Sequence, residues 1–125
     1  ELLIKTHFYQ PDDREYISYI WTNISGSVTP LNVGIGSTEV ELLAAYPSDL
    51  YYLEAEDSEP VYNELMELSE YDCAYFWQPS DISRDITFYL CDGVVCGMEM
   101  VVPFESRYVY GYDREAGLRL ANERR

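Results

Sequence analysis

The sequence predicts an α+β fold: an antiparallel β-sheet with one or two short helices packed on one face. Strand-like segments occur in two runs, one before residue 23 and one after residue 70, and a helix with signals at both ends lies between them. Asp92-Gly93 between two apolar segments is a strong hairpin signal, which makes the second run antiparallel. Runs of strands that are segregated from helices are typical of α+β folds. We therefore predict the order ββ-α-(α)-βββ in a single domain spanning residues 1–125.

Residues 1–22 are expected to form a leading β-hairpin. Leu2 to Tyr9 (LLIKTHFY) and Glu15 to Thr22 (EYISYIWT) are rich in β-branched and aromatic residues. Between them, Gln10 to Arg14 contains a proline and two aspartates, which favour a turn. The two segments should therefore pair with each other.

The helix is predicted between two glycines and Pro47. Thr38 is a suitable N-cap, and Glu41 three residues later completes a capping box. Pro47 ends the helix because the residue before a proline avoids the α region. The face that we expect to pack on the sheet consists of Val40, Leu43 and Ala44, and Leu42 and Tyr46 widen it.

The segment after this helix is acidic and carries a second possible helix. Ser48-Asp49 predicts a turn that runs into Leu50 to Leu53, and Glu54 to Glu59 predicts a solvated loop. Pro60 suits the first turn of a helix. The apolar residues Val61, Leu65 and Leu68 are spaced for one short amphipathic helix ending near Glu70.

Three further strands are predicted, namely Tyr71 to Trp77, Asp85 to Cys91 and Val94 to Val102. Residues 33–102 thus form a helix-then-sheet module. Residues 103–125 form a tail that is weakly helical from Asp113 to Arg125.

The hairpin at Asp92-Gly93 has two possible registers. A two-residue loop pairs Cys91 with Val94. A three-residue loop with Gly93 as a bulge pairs Leu90 with Val94. We prefer the three-residue loop, because a one-residue slip would mix the apolar and polar faces. It places one set of side chains together on a single face: Ile86, Phe88, Leu90, Val94, Cys96, Met98 and Met100.

Two parts of this module resemble a family. Gly34 to Val40, with Leu43 and Tyr46-Pro47, is similar to the opening of the small outer-membrane lipoprotein A domain and of β-lactamase-inhibitor-protein-like folds. Ile86 to Met98, with its Asp92-Gly93 turn, resembles the hairpin of the same modules. The resemblance implies helices followed by an antiparallel sheet in a secreted protein or envelope lipoprotein. It also implies a role in assembly or protein contact without enzymatic activity. No residue matches a functional residue of that family.

The charge of the chain restricts its partners. The net charge is −15, and the stretch from Glu39 to Asp72 holds eleven acids and no base. Five of the eight bases lie in the last nineteen residues. Nonspecific nucleic-acid binding is excluded because phosphates require Lys and Arg. No apolar run reaches the length of a membrane span, so no transmembrane segment is expected. The chain begins at Glu1, and we expect an extracellular or cell-envelope protein whose leader has been removed.

Few residues suggest catalysis or a cofactor. His7 is the sole histidine and is expected to be a plain strand residue. The cysteines lack CxxC spacing, so zinc is not expected. Either Cys73 and Cys91 form a cross-strand disulfide that leaves Cys96 as a buried free thiol, or all three are unpaired. The carboxylates from Glu54 to Glu59 lack the spacing of a calcium loop. We predict no catalytic residue, cofactor or metal.

Tyrosines near acids predict a partner surface. The chain has thirteen tyrosines, which supply amphipathic contact area, although packing in the core is the alternative for the aromatic residues. The predicted partner surface comprises Tyr51, Tyr52, Glu54, Glu56, Asp57 and Tyr62. The preferred hypothesis is a noncatalytic secreted or surface-anchored protein that binds a protein or cell-envelope component there. The alternative is a cytoplasmic acidic mimic of nucleic acid that occupies a basic site on a partner.

Overall fold

The computed structural model describes residues 2–9, 14–54, 71–78, 85–101 and 114–125. Within these residues the elements are β1 Leu2–Tyr9, β2 Arg14–Thr22, α1 Glu39–Ala45, β3 Leu50–Glu54, β4 Cys73–Trp77, β5 Asp85–Cys91, β6 Val94–Val101 and α2 Arg114–Glu123. The six strands form one sheet in the order β1-β2-β6-β5-β4-β3, and every pairing is antiparallel. The predicted α+β class with an antiparallel sheet is confirmed. Neither helix in these residues is long and apolar enough to cross a membrane.

The leading hairpin is continuous with the rest of the sheet. β1 pairs with β2 over the whole length of β1. β2 then pairs with β6, with Ile20 opposite Met100. The predicted turn between the two strands lies mostly outside the described residues.

β3 was not predicted as a strand. The turn at Ser48-Asp49 is present, with Asp49 at φ 60°, but the chain leaves it in an extended conformation and pairs with β4 from Leu50 to Glu54. The apolar and aromatic residues here serve both faces of a strand, so they show none of the alternation that marks a half-exposed strand. The predicted second helix, from Pro60 to Glu70, lies outside the described residues. The predicted weak helix near the end of the chain is α2.

The β5–β6 hairpin has the two-residue loop, so our preference for the three-residue loop is wrong. Cys91 lies opposite Val94 and Leu90 opposite Val95. Asp92 and Gly93 have φ values of 52° and 78°, as a type I′ turn requires. A β-bulge at Cys96 then absorbs one residue and returns Met98 to its place opposite Phe88. The faces therefore stay unmixed.

The cysteine pairing also differs from the prediction. Cys91 and Cys96 form a disulfide, with Cα atoms 5.8 Å apart, and Cys73 is the buried free thiol. Cys73 lies opposite Leu90 in the β4–β5 ladder, so its side chain and that of Cys91 point to opposite faces. The bulge brings Cys96 to the face of Cys91 instead. The predicted Cys73–Cys91 bond is therefore wrong, as is the alternative of three unpaired cysteines.

The sheet carries an apolar cluster on each of its faces. One apolar cluster joins the sheet to both helices and includes Leu42, Leu43, Tyr75, Phe88, Leu90, Val95, Met98 and Ala121. A second cluster lies on the opposite face and consists of Tyr19, Trp21, Leu53, Ala74, Phe76 and Tyr89. Val94 and Cys96, which we expected beside Phe88, face away from the first cluster because of the two-residue loop.

α1 buries only part of the predicted face. Leu42, Leu43 and Tyr46 are buried as expected. Val40 is 76% exposed and Ala44 is also exposed, so the expected packing of these two residues on the sheet is wrong. The Tyr46 ring lies 5.1 Å from that of Trp77 and 5.3 Å from that of Phe88, between ring centroids. These aromatic contacts fix the rotation of a helix of seven residues.

Candidate functional site

Carboxylates gather at the end of the sheet that carries the β5–β6 turn. β3 ends there, β4 begins there, and the first turn of α1 lies against the same turn. We name this surface the acidic end; it consists of Glu39, Glu41, Glu54, Asp72 and Asp92. Glu41, Glu54, Asp72 and Asp92 are exposed, and Glu39 is half-buried.

Backbone hydrogen bonds hold two of these aspartates together. The amide of Asp92 donates to Oδ2 of Asp72 at 2.7 Å. The amide of Asp72 donates to the carbonyl of Leu90 at 2.8 Å. Asp72 thus caps the β5–β6 turn from the neighbouring strand, and the two carboxylates belong to one surface.

The start of α1 is attached to the same turn. The amide of Glu39 donates to the carbonyl of Gly93 at 3.0 Å, and the amide of Gly36 donates to the carbonyl of Val95 at 2.8 Å. Val95 returns a bond to the carbonyl of Ser37 at 2.8 Å. The predicted capping box between Thr38 and Glu41 is confirmed, so both carboxylates of the first helical turn have fixed positions.

Arg124 closes the inner side of the acidic end. Its Nε lies 3.1 Å from Oε2 of Glu39 and donates to the hydroxyl of Tyr75 at 2.9 Å. Tyr75 in turn donates to Glu39 at 2.7 Å. The Arg124 guanidinium also lies 4.8 Å from the centre of the Tyr52 ring, a cation–π distance. Glu39 therefore has a fixed counter-charge.

The environment disfavours ionisation of the tyrosines in this cluster. Burial raises the pKa of Tyr75, and its hydrogen bond to the Glu39 carboxylate raises it further. Burial also raises the pKa of Tyr52 to about 12, with added repulsion from Cys73 and Glu54. For Arg124, burial opposes the charged form, but the hydrogen bond to Glu39 outweighs it and raises the pKa. At neutral pH the tyrosines are hydroxyl donors and Arg124 is a cation.

Cys73 lies beside this cluster and is a poor nucleophile. Its side chain is buried, with 5% exposed. Burial raises the pKa of the thiol from 9.0 to about 11, and the Glu39 carboxylate contributes to the rise. Because the thiolate is the reactive form, a thiol with this pKa is inert at neutral pH.

A second buried polar group lies on the opposite face of the sheet. The side chain of Glu99 is 2% exposed. It accepts hydrogen bonds from the hydroxyl of Tyr19 at 2.5 Å and from that of Tyr89 at 3.1 Å. Two phenol donors offset much of the cost of burying a carboxylate. These bonds hold β2, β5 and β6 together, and we assign Glu99 a structural role.

Only Tyr51, Tyr52 and Glu54 of the predicted partner surface lie in the described residues. Tyr51 and Tyr52 are consecutive residues of β3, so they point to opposite faces. Tyr52 is buried, with 8% exposed, and Tyr51 packs against the ring of Phe76. Glu54 is exposed as predicted. The remaining predicted residues, Glu56, Asp57 and Tyr62, lie outside the described residues.

Other aromatic and metal-binding candidates also have definite positions. Trp21 and Tyr75 are buried in the core and Trp77 is half-buried, so packing accounts for them. His7 lies in β1 opposite Tyr16. Among the described residues no group of three or more His, Cys, Asp or Glu could hold a metal ion.

The sequence reasoning missed Arg124, Glu39 and Tyr75 as one cluster. Their separation in the chain gives no local motif. A signal was nevertheless present, because the base-free acidic stretch and the base-rich end of the chain are complementary in charge. The helix that directly precedes Arg124 was predicted only as a weakly helical tail.

Comparisons with protein-family models, with curated proteins and with solved structures found no match to this chain.

Proposed function

We propose that this chain is a noncatalytic domain of the extracellular space or cell envelope. In this proposal it binds a protein or envelope component with a basic surface through the acidic end. The observation that carries the proposal is the gathering of Glu41, Glu54, Asp72 and Asp92 on one exposed end of the sheet. Complementary charge of this kind steers a partner toward a surface and excludes acidic competitors.

The sequence next to the acidic end is also acidic. Residues 55–70, between the described Glu54 and Tyr71, contain six acids and no base: Glu56, Asp57, Glu59, Glu64, Glu67 and Glu70.

The disulfide supports the proposed location. Disulfides such as Cys91–Cys96 form in oxidising compartments and are rare in the cytosol. The resemblance to envelope lipoprotein modules implies the same location.

The chemistry near the acidic end supports binding rather than turnover. The thiol of Cys73 is buried and protonated at neutral pH. Arg124, the cation of this cluster, is engaged by Glu39 and Tyr75. These groups order the inner wall of the surface.

A lysine-rich peptide labelled with a fluorophore tests the proposal by anisotropy at low salt. We expect the wild-type chain to bind the peptide and the variant Asp72→Asn/Asp92→Asn to lose most of that affinity. Asparagine retains the acceptor that Asp72 offers to the Asp92 amide. The matched control is Glu115→Gln/Glu123→Gln, which removes two exposed carboxylates from α2 and should bind nearly as the wild type. Equal losses in both variants, or no binding by the wild type, would refute the acidic end as the site.

The second candidate is a cytoplasmic mimic of nucleic acid that occupies a basic site on a DNA-binding protein. The gathering of carboxylates on one end also favours this function, since a mimic needs a continuous negative surface. The Cys91–Cys96 disulfide argues against a cytoplasmic location. Competition distinguishes the two: a mimic displaces duplex DNA from a DNA-binding protein at equimolar amounts, whereas the preferred function predicts no displacement.

A further inference from the structure

We infer that the Cys91–Cys96 disulfide is a redox-sensitive latch that holds the acidic end in its binding arrangement. In this inference, reduction loosens the contact between the β5–β6 turn and the start of α1, and so weakens the surface. It rests on the proposed function, because the acidic end is the surface that the latch would control.

The disulfide brackets the turn that carries the contact. It joins residues on either side of Asp92, Gly93, Val94 and Val95. Two of these enclosed residues make the hydrogen bonds to the start of α1: Gly93 accepts from Glu39, and Val95 both accepts from Gly36 and donates to Ser37. Thr38 forms an isolated bridge with Val94. The whole attachment therefore lies within the loop that the disulfide closes.

The ladder of backbone pairs beside this turn is interrupted, and the disulfide restrains the end of the hairpin there. The bulge at Cys96 separates the pair Leu90–Val95 from the pair Tyr89–Gly97. A bulge leaves a residue unpaired and disrupts the local ladder. The end of the hairpin beyond the bulge has two residue pairs of its own, and the covalent bond supplies the remaining restraint.

The loosening would reach the charged groups through Glu39. This residue is the first of α1, and its amide contacts the turn while its carboxylate holds Tyr75 and Arg124. Asp92 lies within the bracketed turn itself. Release of the turn thus changes the positions of Asp92 and Glu39 together.

The two cysteines of the disulfide are less buried than the free thiol. Cys91 and Cys96 are both half-buried, whereas the free thiol of Cys73 is buried. A dithiol reductant attacks one sulfur as its thiolate and forms a mixed disulfide with that cysteine, and its second thiol then displaces the cysteine. The products are two cysteine thiols and the cyclic disulfide of the reductant, with two electrons and two protons transferred to the protein.

Amide hydrogen exchange in the oxidised and dithiol-reduced protein tests the latch. We expect exchange at Gly36, Glu39 and Val95 to accelerate about tenfold or more on reduction, as for local opening. The amides of Thr29 and Gln78 should change little, since they bond to Val33 and Asp49 away from the turn. The Cys91→Ser/Cys96→Ser variant controls for the reagent and should show the faster exchange with or without dithiol. Unchanged exchange in the reduced wild type would overturn the inference.

Binding of the lysine-rich peptide by both redox forms then connects the latch to the site. The inference expects several-fold weaker binding after reduction. Faster exchange with unchanged affinity would overturn the link between the latch and the surface. If neither redox form binds the peptide, the proposed function fails, while exchange alone still decides the latch.

Discussion

The buried polar and charged residues beside Cys73 stabilise the fold and do not activate a nucleophile. Cys73 is the clearest case, since a free thiol next to an arginine would ordinarily suggest an activated nucleophile. Here burial and the nearby Glu39 carboxylate outweigh Arg124, and the pKa of the thiol rises to about 11. The same groups would serve catalysis only if the thiol were exposed and the carboxylate absent.

The first prediction concerns the reactivity of Cys73. At pH 8 its thiolate fraction in the folded protein should be roughly 100-fold below that of the unfolded chain. The reason is that folding raises the pKa of the thiol from 9.0 to about 11. Iodoacetamide labelling without reductant, followed by mass spectrometry, measures the rate with the other two cysteines in their disulfide. Equal rates in native buffer and in urea would contradict the prediction.

The same shift gives a pH dependence of stability. The folded state holds the thiol proton more tightly than the unfolded chain, so the thiol contributes stability that is fully present below pH 9.0 and lost toward pH 11. The raised pKa values of Tyr52 and Tyr75 act in the same direction. Urea unfolding should therefore show lower stability at pH 11 than at pH 8, with a smaller decrease in Cys73→Ala.

The second prediction concerns Gly97, which the indole of Trp21 covers. A Cβ at position 97 would lie 2.5 Å from the nearest carbon of the Trp21 ring, and Trp21 is fully buried. Gly97→Ala should therefore lower the free energy of unfolding by about 1–3 kcal/mol through overpacking. In the Trp21→Phe background the smaller ring leaves room, and the added cost of the alanine should shrink. An equal cost in both backgrounds would mean that the backbone, not the ring, is the cause.

At the scale of elements, the sequence predicts best where local signals act alone. The limits of β5, the length of β1 and the cap of α1 follow from propensity, turn residues and the capping box, and all three are confirmed. The register of the β5–β6 hairpin could not be predicted, because the bulge at Cys96 corrects the faces and has no local marker. The rotation of α1 depends on Tyr46 meeting Trp77 and Phe88, which are distant in the chain.

The third prediction tests the cap of α1. Thr38→Ala removes the acceptor for the Glu41 amide, at 3.1 Å, and should cost about 1 kcal/mol of unfolding free energy. Thr38→Ser keeps that acceptor and should stay close to the wild type. The readout is the urea midpoint at constant slope. A Thr38→Ala variant as stable as the wild type would show that the backbone bonds to Gly93 and Val95 suffice to hold the helix start.

The far end of α1 is held by a residue that follows α2. Arg125 donates through Nη1 to the carbonyl of Leu43 and through Nη2 to that of Tyr46 at 2.7 Å. A guanidinium at this position satisfies carbonyls that have no helical partner and complements the negative end of the helix dipole. Arg124 and Arg125 together fasten the C-terminal end of α2 to α1, one at each end of α1. Two of the bases near the end of the chain are thus used within the fold.

At the scale of the whole molecule, the class was predictable and the complete order was not. β3 reads as a turn in the sequence because its residues Leu50, Tyr52 and Leu53 are buried on both faces. The pairing of β2 with β6 joins residues about eighty positions apart, and pairings of that separation leave no trace in one sequence. The acidic end arises from the same long-range pairings, which is why the sequence predicted an acidic segment but not which carboxylates share a surface.

The last prediction follows from the net charge of −15 and from the carboxylates of the acidic end. Like charges on a compact surface repel, which destabilises the folded state. Raising NaCl from 0.01 to 0.1 M shortens the Debye length from about 30 Å to about 10 Å and screens that repulsion. If screening weakens the repulsion by about 1 kcal/mol, the Tm should rise by roughly 3–5 °C in a domain of this size.

Calorimetry of matched variants locates the repulsion. Asp72→Asn/Asp92→Asn should raise the Tm at low salt and reduce its dependence on salt, because the two carboxylates lie together against the β5–β6 turn. Glu115→Gln should change both much less, since that residue lies in the first turn of α2. A Tm that falls as salt is added would instead show that attractive pairs such as Arg124–Glu39 dominate the electrostatics. In that case repulsion between the carboxylates of the acidic end would not be what limits the stability of the fold.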